Sequence, residues 1–217
     1  LPPTAIFQRE KRGIDGVVLE WEPASGRRTS FAFLAVEKKR NAGILRTSFT
    51  LARYNISVHL GSFRGQEAAS DVYKRQLNED FWIHAEAQKW GKRSSYLVGI
   101  HKKLSEKWDG YCQYFRNGAG AKSVAFYPWI SFLRGEIQGV GKNYFACVSR
   151  SLLSPLQDFR LLGIQNLNDH SIYLNPVWKY SYKENQDLEI GWQYFSGDRP
   201  EEFAYSSLVY IQHLWYF

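Results

Sequence analysis

The sequence predicts an all-β chain that folds as an antiparallel up-and-down β-barrel. Strand signals rich in β-branched and aromatic residues recur about every 10 to 20 residues, with turn residues between them. Apolar and polar residues alternate within these segments, as expected for strands with one apolar face. No segment of about 12 or more residues has the 3.6-residue apolar period of a helix.

Eleven segments carry this strand pattern, and each is bounded by residues that favour turns or by a change in polarity. In chain order they are Gly16–Glu22, Thr29–Lys38, Leu45–Ser62, Asp80–Trp90, Ser95–Leu104, Trp108–Arg116, Asn143–Leu152, Asp158–Leu167, Ser171–Tyr182, Asp187–Phe195 and Tyr205–Phe217.

Four of these segments show the alternation most clearly. Their apolar sides are Thr50, Ala52, Tyr54, Ile56, Val58 and Leu60; Phe81, Ile83, Ala85 and Ala87; Ile172, Leu174, Pro176, Trp178, Tyr180 and Tyr182; and Leu188, Ile190, Trp192 and Tyr194. Alternation alone fits two architectures. A soluble barrel or sandwich turns the apolar side inward, whereas a membrane barrel turns it toward lipid and keeps the polar side in a wet lumen.

Two features favour the membrane architecture. Towards the C-terminus, tight turns alternate with the long connections Asn117–Lys142 and Ser196–Ala204, and membrane barrels have short turns on one side and long loops on the other. Aromatic residues also gather near strand ends, where an amphipathic ring suits the membrane interface. Pro176 counts mildly against a regular barrel, because proline lacks a ladder donor and suits an edge or a bulge.

The last strand carries a terminal pattern. Counting back by twos from Phe217 gives Trp215, His213, Ile211 and Val209. A final Phe, an aromatic residue two positions earlier and apolar residues at alternate positions resemble the C-terminal signature of bacterial outer-membrane β-barrel proteins. His213 departs from this signature, in which an apolar residue is usual at that position.

The resemblance is to porin-like barrels, and it covers most of residues 77–217. Residues 12–17 also look like the entry segment of alginate-export porins, which is too short to fix a subfamily. The resemblance implies a Gram-negative outer-membrane location, contact with lipid and lipopolysaccharide, and recognition of the last strand (Val209, Ile211, Trp215 and Phe217) by the barrel-assembly machinery.

The resemblance also implies an orientation and a constriction. With the chain end on the periplasmic side, both long connections face outward. In porins one long loop folds into the lumen and narrows it, and Asn117–Lys142 is the candidate here. Its expected constriction residues are Tyr127, Trp129, Arg134 and Glu136. A loop that only caps the outside is an equal alternative.

Polar residues on the alternating strands are the candidate lining of a pore. Both signs of charge occur, so ion selectivity is not decided, although three cations (Arg53, Lys103 and Lys179) suggest a mild anion preference. The candidates are Arg53, Asn55, His59, His84, Glu86, His101, Lys103, Asp109, Gln113, Lys179, Glu189 and Gln193.

No constellation of catalytic or metal-binding residues stands out. The sequence has no G-x-S-x-G, H-E-x-x-H, phosphate-binding or dinucleotide-binding motif, and its five His residues occur singly. His84, His101, Ser95 and Asp109 lie on neighbouring predicted strands, which keeps a barrel lipid hydrolase as a third hypothesis. We expect no enzyme activity, cofactor or metal. Cys112 and Cys147 lie on the strands that flank the long loop and could be near each other if that hairpin is regular, but the favoured interpretation is two small unpaired buried residues.

Charge and chain organisation complete the analysis. The net charge of +7 is concentrated in residues 1–69, unlike the even basic character of a nucleic-acid binder. The chain lacks Met, so we expect a single barrel domain, 1–217, that is incomplete at its N-terminus. Residues 71–76 resemble the translated end of a transposon used in preparing sequencing libraries. We therefore expect 70–76 to be an artefactual junction between 1–69 and 77–217; an ordinary polar loop is the alternative.

The function most consistent with these features is an outer-membrane pore for passive diffusion of small hydrophilic solutes. The main alternative is a soluble β-barrel or sandwich that binds a ligand inside.

Overall fold

The structure is a computed structural model. It describes the backbone at residues 15–24, 27–35, 42–51, 54–63, 66–135, 137 and 139–216, and side chains at 45, 47–48, 54–58, 60–61, 69–89, 91–135, 137 and 139–216.

Thirteen strands form one antiparallel sheet in which every strand pairs with its neighbours in sequence. This is the predicted up-and-down order. Over the described residues the sheet is open, because the first and last strands are not paired with each other. The strands are β1 (Asp15–Ala24), β2 (Arg27–Ala35), β3 (Ala42–Leu51), β4 (Tyr54–Phe63), β5 (Gln66–Asn78), β6 (Phe81–Trp90), β7 (Arg93–Lys103), β8 (Trp108–Arg116), β9 (Asn143–Ser154), β10 (Gln157–Asn166), β11 (Ile172–Lys183), β12 (Gln186–Ser196) and β13 (Leu208–Trp215).

The prediction of one strand over Leu45–Ser62 is wrong. The chain makes a hairpin there, in which Leu51 at the end of β3 pairs with Tyr54 at the start of β4. In the sequence, Ala52 and Arg53 separate these two residues, and neither is a Gly, Pro, Asn or Asp that would signal a turn. The hairpin reverses the phase of the alternation, so Thr50 lies on the opposite face from Tyr54.

The suspected junction does not interrupt the sheet, so the alternative of an ordinary polar loop is wrong. Residues 70–76 lie within β5, which pairs with β4 on one side and β6 on the other. No Gly or Pro occurs between Ala68 and Asn78, so the backbone is free to continue the ladder. The artefactual origin of these residues stays a prediction.

The two faces of the sheet differ in character. We call the face that carries Leu174, Ile190 and Ile211 the apolar face, and the one that carries Lys179 and Glu189 the polar face. Among the large apolar side chains described on the strands, the most exposed lie on the apolar face, where Ile211 is 71% exposed and Val209 64%. On the polar face Gln193 is only 7% exposed. A soluble protein shows the reverse, so this arrangement fits a sheet whose apolar face meets lipid.

The long connections lie at one end of the sheet, as the sequence predicts. Residues 117–142 join β8 to β9 and contain a 3-10 turn (Val124–Phe126) and a short helix α1 (Trp129–Leu133), while 197–207 join β12 to β13. Two-residue turns after Ser154 and Lys183 close the opposite end. In the described part of the chain, no helix is long and apolar enough to cross a membrane.

Two further expectations are corrected. Pro176 lies in an inner strand, not at an edge, and it pairs with Leu161 of β10. The pairing with β12 is interrupted at Pro176, because proline has no N–H to donate, and it resumes in the same register at Val177. Cys112 and Cys147 are not unpaired: they are direct register partners on β8 and β9, with Cα atoms 4.1 Å apart, and they form a disulfide.

Candidate functional site

The polar face brings together most of the residues predicted to line a pore. Register pairing places ten of them on this one face: Asn55, His84, Glu86, His101, Lys103, Asp109, Gln113, Lys179, Glu189 and Gln193. Arg53 and the side chain of His59 lie outside the described residues. The lining role itself stays a prediction.

A ladder of ion pairs crosses β9 to β12 on the polar face. Arg150 contacts Asp158 through Nη2 at 3.1 Å, and Nε of the same guanidinium donates to both carboxylate oxygens at 3.2 and 3.1 Å. Arg160 reaches across β11 to Glu189, with Nη2 3.0 Å from Oε2. Lys179 Nζ lies 2.6 Å from Asp187 Oδ2. Each of these six charged residues is therefore paired with an opposite charge.

Tyrosines on β13 and just after it hold the carboxylates of this ladder. Tyr216 donates to Asp187 Oδ2 at 2.9 Å, and Tyr210 donates to Glu189 Oε1 at 3.4 Å. The ring of Tyr210 lies over Gly191, where an added Cβ would come within 2.2 Å of Tyr210 Cζ. A side chain at this position would therefore require the Tyr210 ring to shift.

Sequence reasoning missed four members of this ladder. Asp158 and Arg160 are two residues apart on β10 and alternate with the apolar Phe159 and Leu161, and that spacing is the signal that places both on the polar face. Arg150 and Asp187 lie near the ends of segments in which alternation is clear. Their face of the sheet is therefore assigned only by their register with β10 and β11.

A second polar cluster lies on β6 to β8. His84 Nε2 is 2.6 Å from the Tyr111 hydroxyl, which also donates to Gln113 Oε1. His101 Nε2 is 3.1 Å from Asp109 Oδ2. These contacts give Nε2 of each histidine a hydrogen-bond partner within the wall, as is usual for partly buried histidines.

The cluster does not form a hydrolase triad. Ser95 shares β7 with His101, and six residues along a strand separate them by about 20 Å. The Ser95 hydroxyl instead accepts a hydrogen bond from the Gly118 N–H at 2.9 Å. Because nucleophile and base must lie within hydrogen-bond reach, these residues do not support acyl-transfer chemistry.

A buried polar network closes the end of the sheet that carries the long loops. Tyr127 donates to Asp169 Oδ2 at 2.8 Å, and Asn166 Nδ2 reaches both Asp169 and Glu202. Glu202 accepts from the Val140 N–H at 3.1 Å and from the Tyr144 hydroxyl at 2.7 Å. The network therefore fastens loop 117–142 to loop 197–207 across the ends of β9 and β10.

Burial dominates the electrostatics of this network. Burial raises the pKa of Glu202, and the nearby Asp169 carboxylate raises it further. The groups that donate hydrogen bonds to Glu202 act in the opposite direction and lower its pKa. Burial and the hydrogen bond to Asp169 likewise raise the pKa of Tyr127. Tyr127 is thus a neutral donor between the long loop and the barrel end.

The predicted constriction residues lie in different surroundings, and their role in narrowing a pore stays a prediction. Tyr127 is buried in the network, and the ring of Trp129 lies 6.0 Å from it in an edge contact. Arg134 is exposed at the end of α1, and Glu136 lies outside the described residues. The returning part of the loop, Gly139 to Gly141, packs against Tyr144 and Asn166, whose side chains belong to the polar face.

The residues of the C-terminal pattern share the apolar face. Val209, Ile211 and Trp215 are all exposed there, and Phe217 lies outside the described residues. His213, the departure from the pattern, lies on the same face, where its Nε2 is 2.7 Å from the Tyr182 hydroxyl. That contact gives the imidazole a polar partner near the strand end.

Comparison with solved structures identifies the architecture. No protein-family model and no curated protein matches the chain. A five-substitution mutant of Rh. blastica porin superposes with a TM-score of 0.56 at 8% identity, covering 92% of this chain and 88% of that one. A triple mutant of the same porin gives 0.54 at 8% identity, with 91% and 87% covered. The chain has the porin fold.

A third similar structure comes from work on the asymmetric conductivity of engineered proteins, with a TM-score of 0.57 at 8% identity over 92% of this chain and 88% of that one. The porin fold confirms the predicted class, an antiparallel up-and-down transmembrane β-barrel. Membrane β-barrels keep the polar side of their strands toward the lumen and the apolar side toward lipid.

Proposed function

We propose that the chain forms an outer-membrane pore through which small hydrophilic solutes diffuse passively. The observation that carries this proposal is the division of one sheet into an exposed apolar face and a polar face crossed by paired charges. A soluble ligand-binding barrel would need the opposite orientation, and the separation of Ser95 from His101 disfavours the hydrolase.

The proposed surroundings follow from the two faces. Outer-membrane lipid and lipopolysaccharide would contact the apolar face, and water and solute the polar face. Loop 117–142 would narrow the lumen from the outside, because its returning part packs against polar-face side chains. We further propose that the assembly machinery binds β13 through its apolar face.

Planar-bilayer recording tests the pore. The chain is refolded in detergent, folding is checked by heat-modifiable migration on a gel, and the protein is added to a lipid bilayer. Stepwise increases in conductance are expected. Folded protein that stays monodisperse without detergent and produces no steps would overturn the proposal.

A further inference from the structure

Two arginines of the ion-pair ladder face each other directly. Arg150 of β9 and Arg160 of β10 are register partners on the polar face. Like charges directly opposite each other destabilise a sheet, so this pairing is sustained only with help from its surroundings. Asp158 provides it: its carboxylate is bidentate with Arg150 and lies 4.0 Å from Nε of Arg160.

The ladder is asymmetric in exposure. The Arg150 side chain is 53% exposed and its partner Asp158 16%. Arg160 is 45% exposed and Glu189 14%, and Lys179 is 28% exposed and Asp187 7%. In all three pairs the carboxylate lies against the wall and the cation projects from it. A formally neutral wall thus presents its positive ends to the space it faces.

The two guanidiniums keep donors available. Arg150 uses Nε and Nη2 on Asp158, and Arg160 uses Nη2 on Glu189. Within the described residues, Nη1 of neither arginine makes a hydrogen bond. Guanidinium groups bind carboxylate and phosphate oxygens through paired N–H donors, and the carboxylates beneath hold both groups in place.

We propose that Arg150 and Arg160 form an oxyanion-binding station on the channel wall, which makes the pore prefer anions and, among them, small carboxylates and phosphate. The inference rests on the proposed pore. Asp109, the register partner of Arg150 on β8, carries the nearest opposing carboxylate and is bonded to His101. Its negative charge limits the preference without cancelling the two exposed guanidiniums.

Reversal potentials in a bilayer under a salt gradient test the station. The native pore is expected to show an anion-selective reversal potential in KCl. Adding potassium acetate is expected to reduce the chloride current, because acetate competes for the site. Arg150→Gln with Arg160→Gln should lower the anion-to-cation permeability ratio at least about twofold, since exposed charges act within a Debye length. Asp109→Asn should raise it.

Two further variants separate charge from geometry. Lys89→Gln with Lys102→Gln removes two exposed positive charges from the apolar face and should leave the ratio unchanged. Arg150→Lys with Arg160→Lys should keep the anion preference in KCl and lose the competition by acetate. Heat-modifiable migration is checked for every variant.

The outcomes are distinguishable. A native chain that folds but gives no conductance would defeat the pore itself. Clear conductance steps with cation selectivity, or an unchanged ratio in the double glutamine variant, would defeat the station and leave the pore standing. The native measurement decides the sign of selectivity even where a variant does not fold.

Discussion

At the scale of single residues, Glu202 joins two loops that are distant in sequence. Its carboxylate accepts from Val140, Tyr144 and Asn166, and burial raises its pKa. A carboxyl whose folded-state pKa is raised contributes stability that is present at low pH and is lost as the pH rises through the raised pKa. The contacts between the loops should therefore weaken as the pH rises through that raised pKa.

Glu202→Gln should remove this pH dependence, because the amide keeps the shape and cannot ionise. Tryptic cleavage at the exposed Lys122 and Arg134 of the long loop measures it. The native-to-variant ratio of cleavage rates should rise from pH 5 to pH 8, and using the ratio cancels the pH dependence of the protease. Glu184→Gln, in the turn at the opposite end, serves as the control. A constant ratio would contradict the assignment.

The sequence predicts residue faces better than residue partners. Alternation alone places Lys179, Glu189 and Gln193 on the polar face, where the structure has them. The partner of Glu189 is Arg160, two strands away, and no local pattern encodes contacts set by the register of three strands. The loop network was missed for the same reason, since Asn166, Asp169 and Glu202 meet only when two loops fold together.

At the scale of elements, β5 is the strand whose pattern conflicts most with its position. Asp71 and Arg75 lie on the apolar face, with Val58 and Tyr54 as their partners on β4. This conflict explains why alternation could not predict β5, because charged residues occupy positions at which a two-residue period predicts apolar ones. The hairpin between β3 and β4 was missed for a different reason, the absence of turn residues.

Asp71→Val should stabilise the folded protein by about 1–3 kcal/mol, because it removes a charge from a lipid-facing position. Urea unfolding in lipid vesicles measures the change. Ser70→Val, one residue away on the polar face, provides the matched control and should give no comparable gain. Equal gains from both substitutions would argue against the assignment of faces in β5.

The disulfide makes β8 and β9 a covalently closed hairpin around the long loop. Cleavage by trypsin at Lys122 or Arg134 should leave the two fragments joined on a non-reducing gel and release them on reduction. Cys112→Ser with Cys147→Ser, the control, should release the fragments under both conditions once the barrel is unfolded. Fragments of the native chain that separate without reductant would refute the bond.

At the scale of the whole molecule, three features were predictable from the sequence: the up-and-down order of the strands, the long loops at one end of the sheet, and the division of the sheet into an apolar and a polar face. They follow from period-two alternation and from the lengths of the connections. The strand number was not: eleven strands were predicted and the described residues form thirteen, because one predicted segment is two strands and β5 was missed.

The C-terminal strand gives a prediction about assembly of the whole barrel. Phe217→Asp should reduce the yield of folded protein in outer membranes, because it places a charge at the end of the apolar pattern proposed as an assembly signal. Gln212→Asp, on the polar face of the same strand, should be tolerated. Equal membrane yields for the two variants would remove support for that signal.

The direct test of the account is which face of the sheet meets lipid. Ile211→Cys and Gln212→Cys place a fluorophore on neighbouring residues of β13 that point to opposite faces, with the native cysteines held in their disulfide. In lipid vesicles, brominated lipid tails should quench the label at 211 and aqueous iodide the label at 212. Quenching of 212 by lipid and of 211 by iodide would contradict the account.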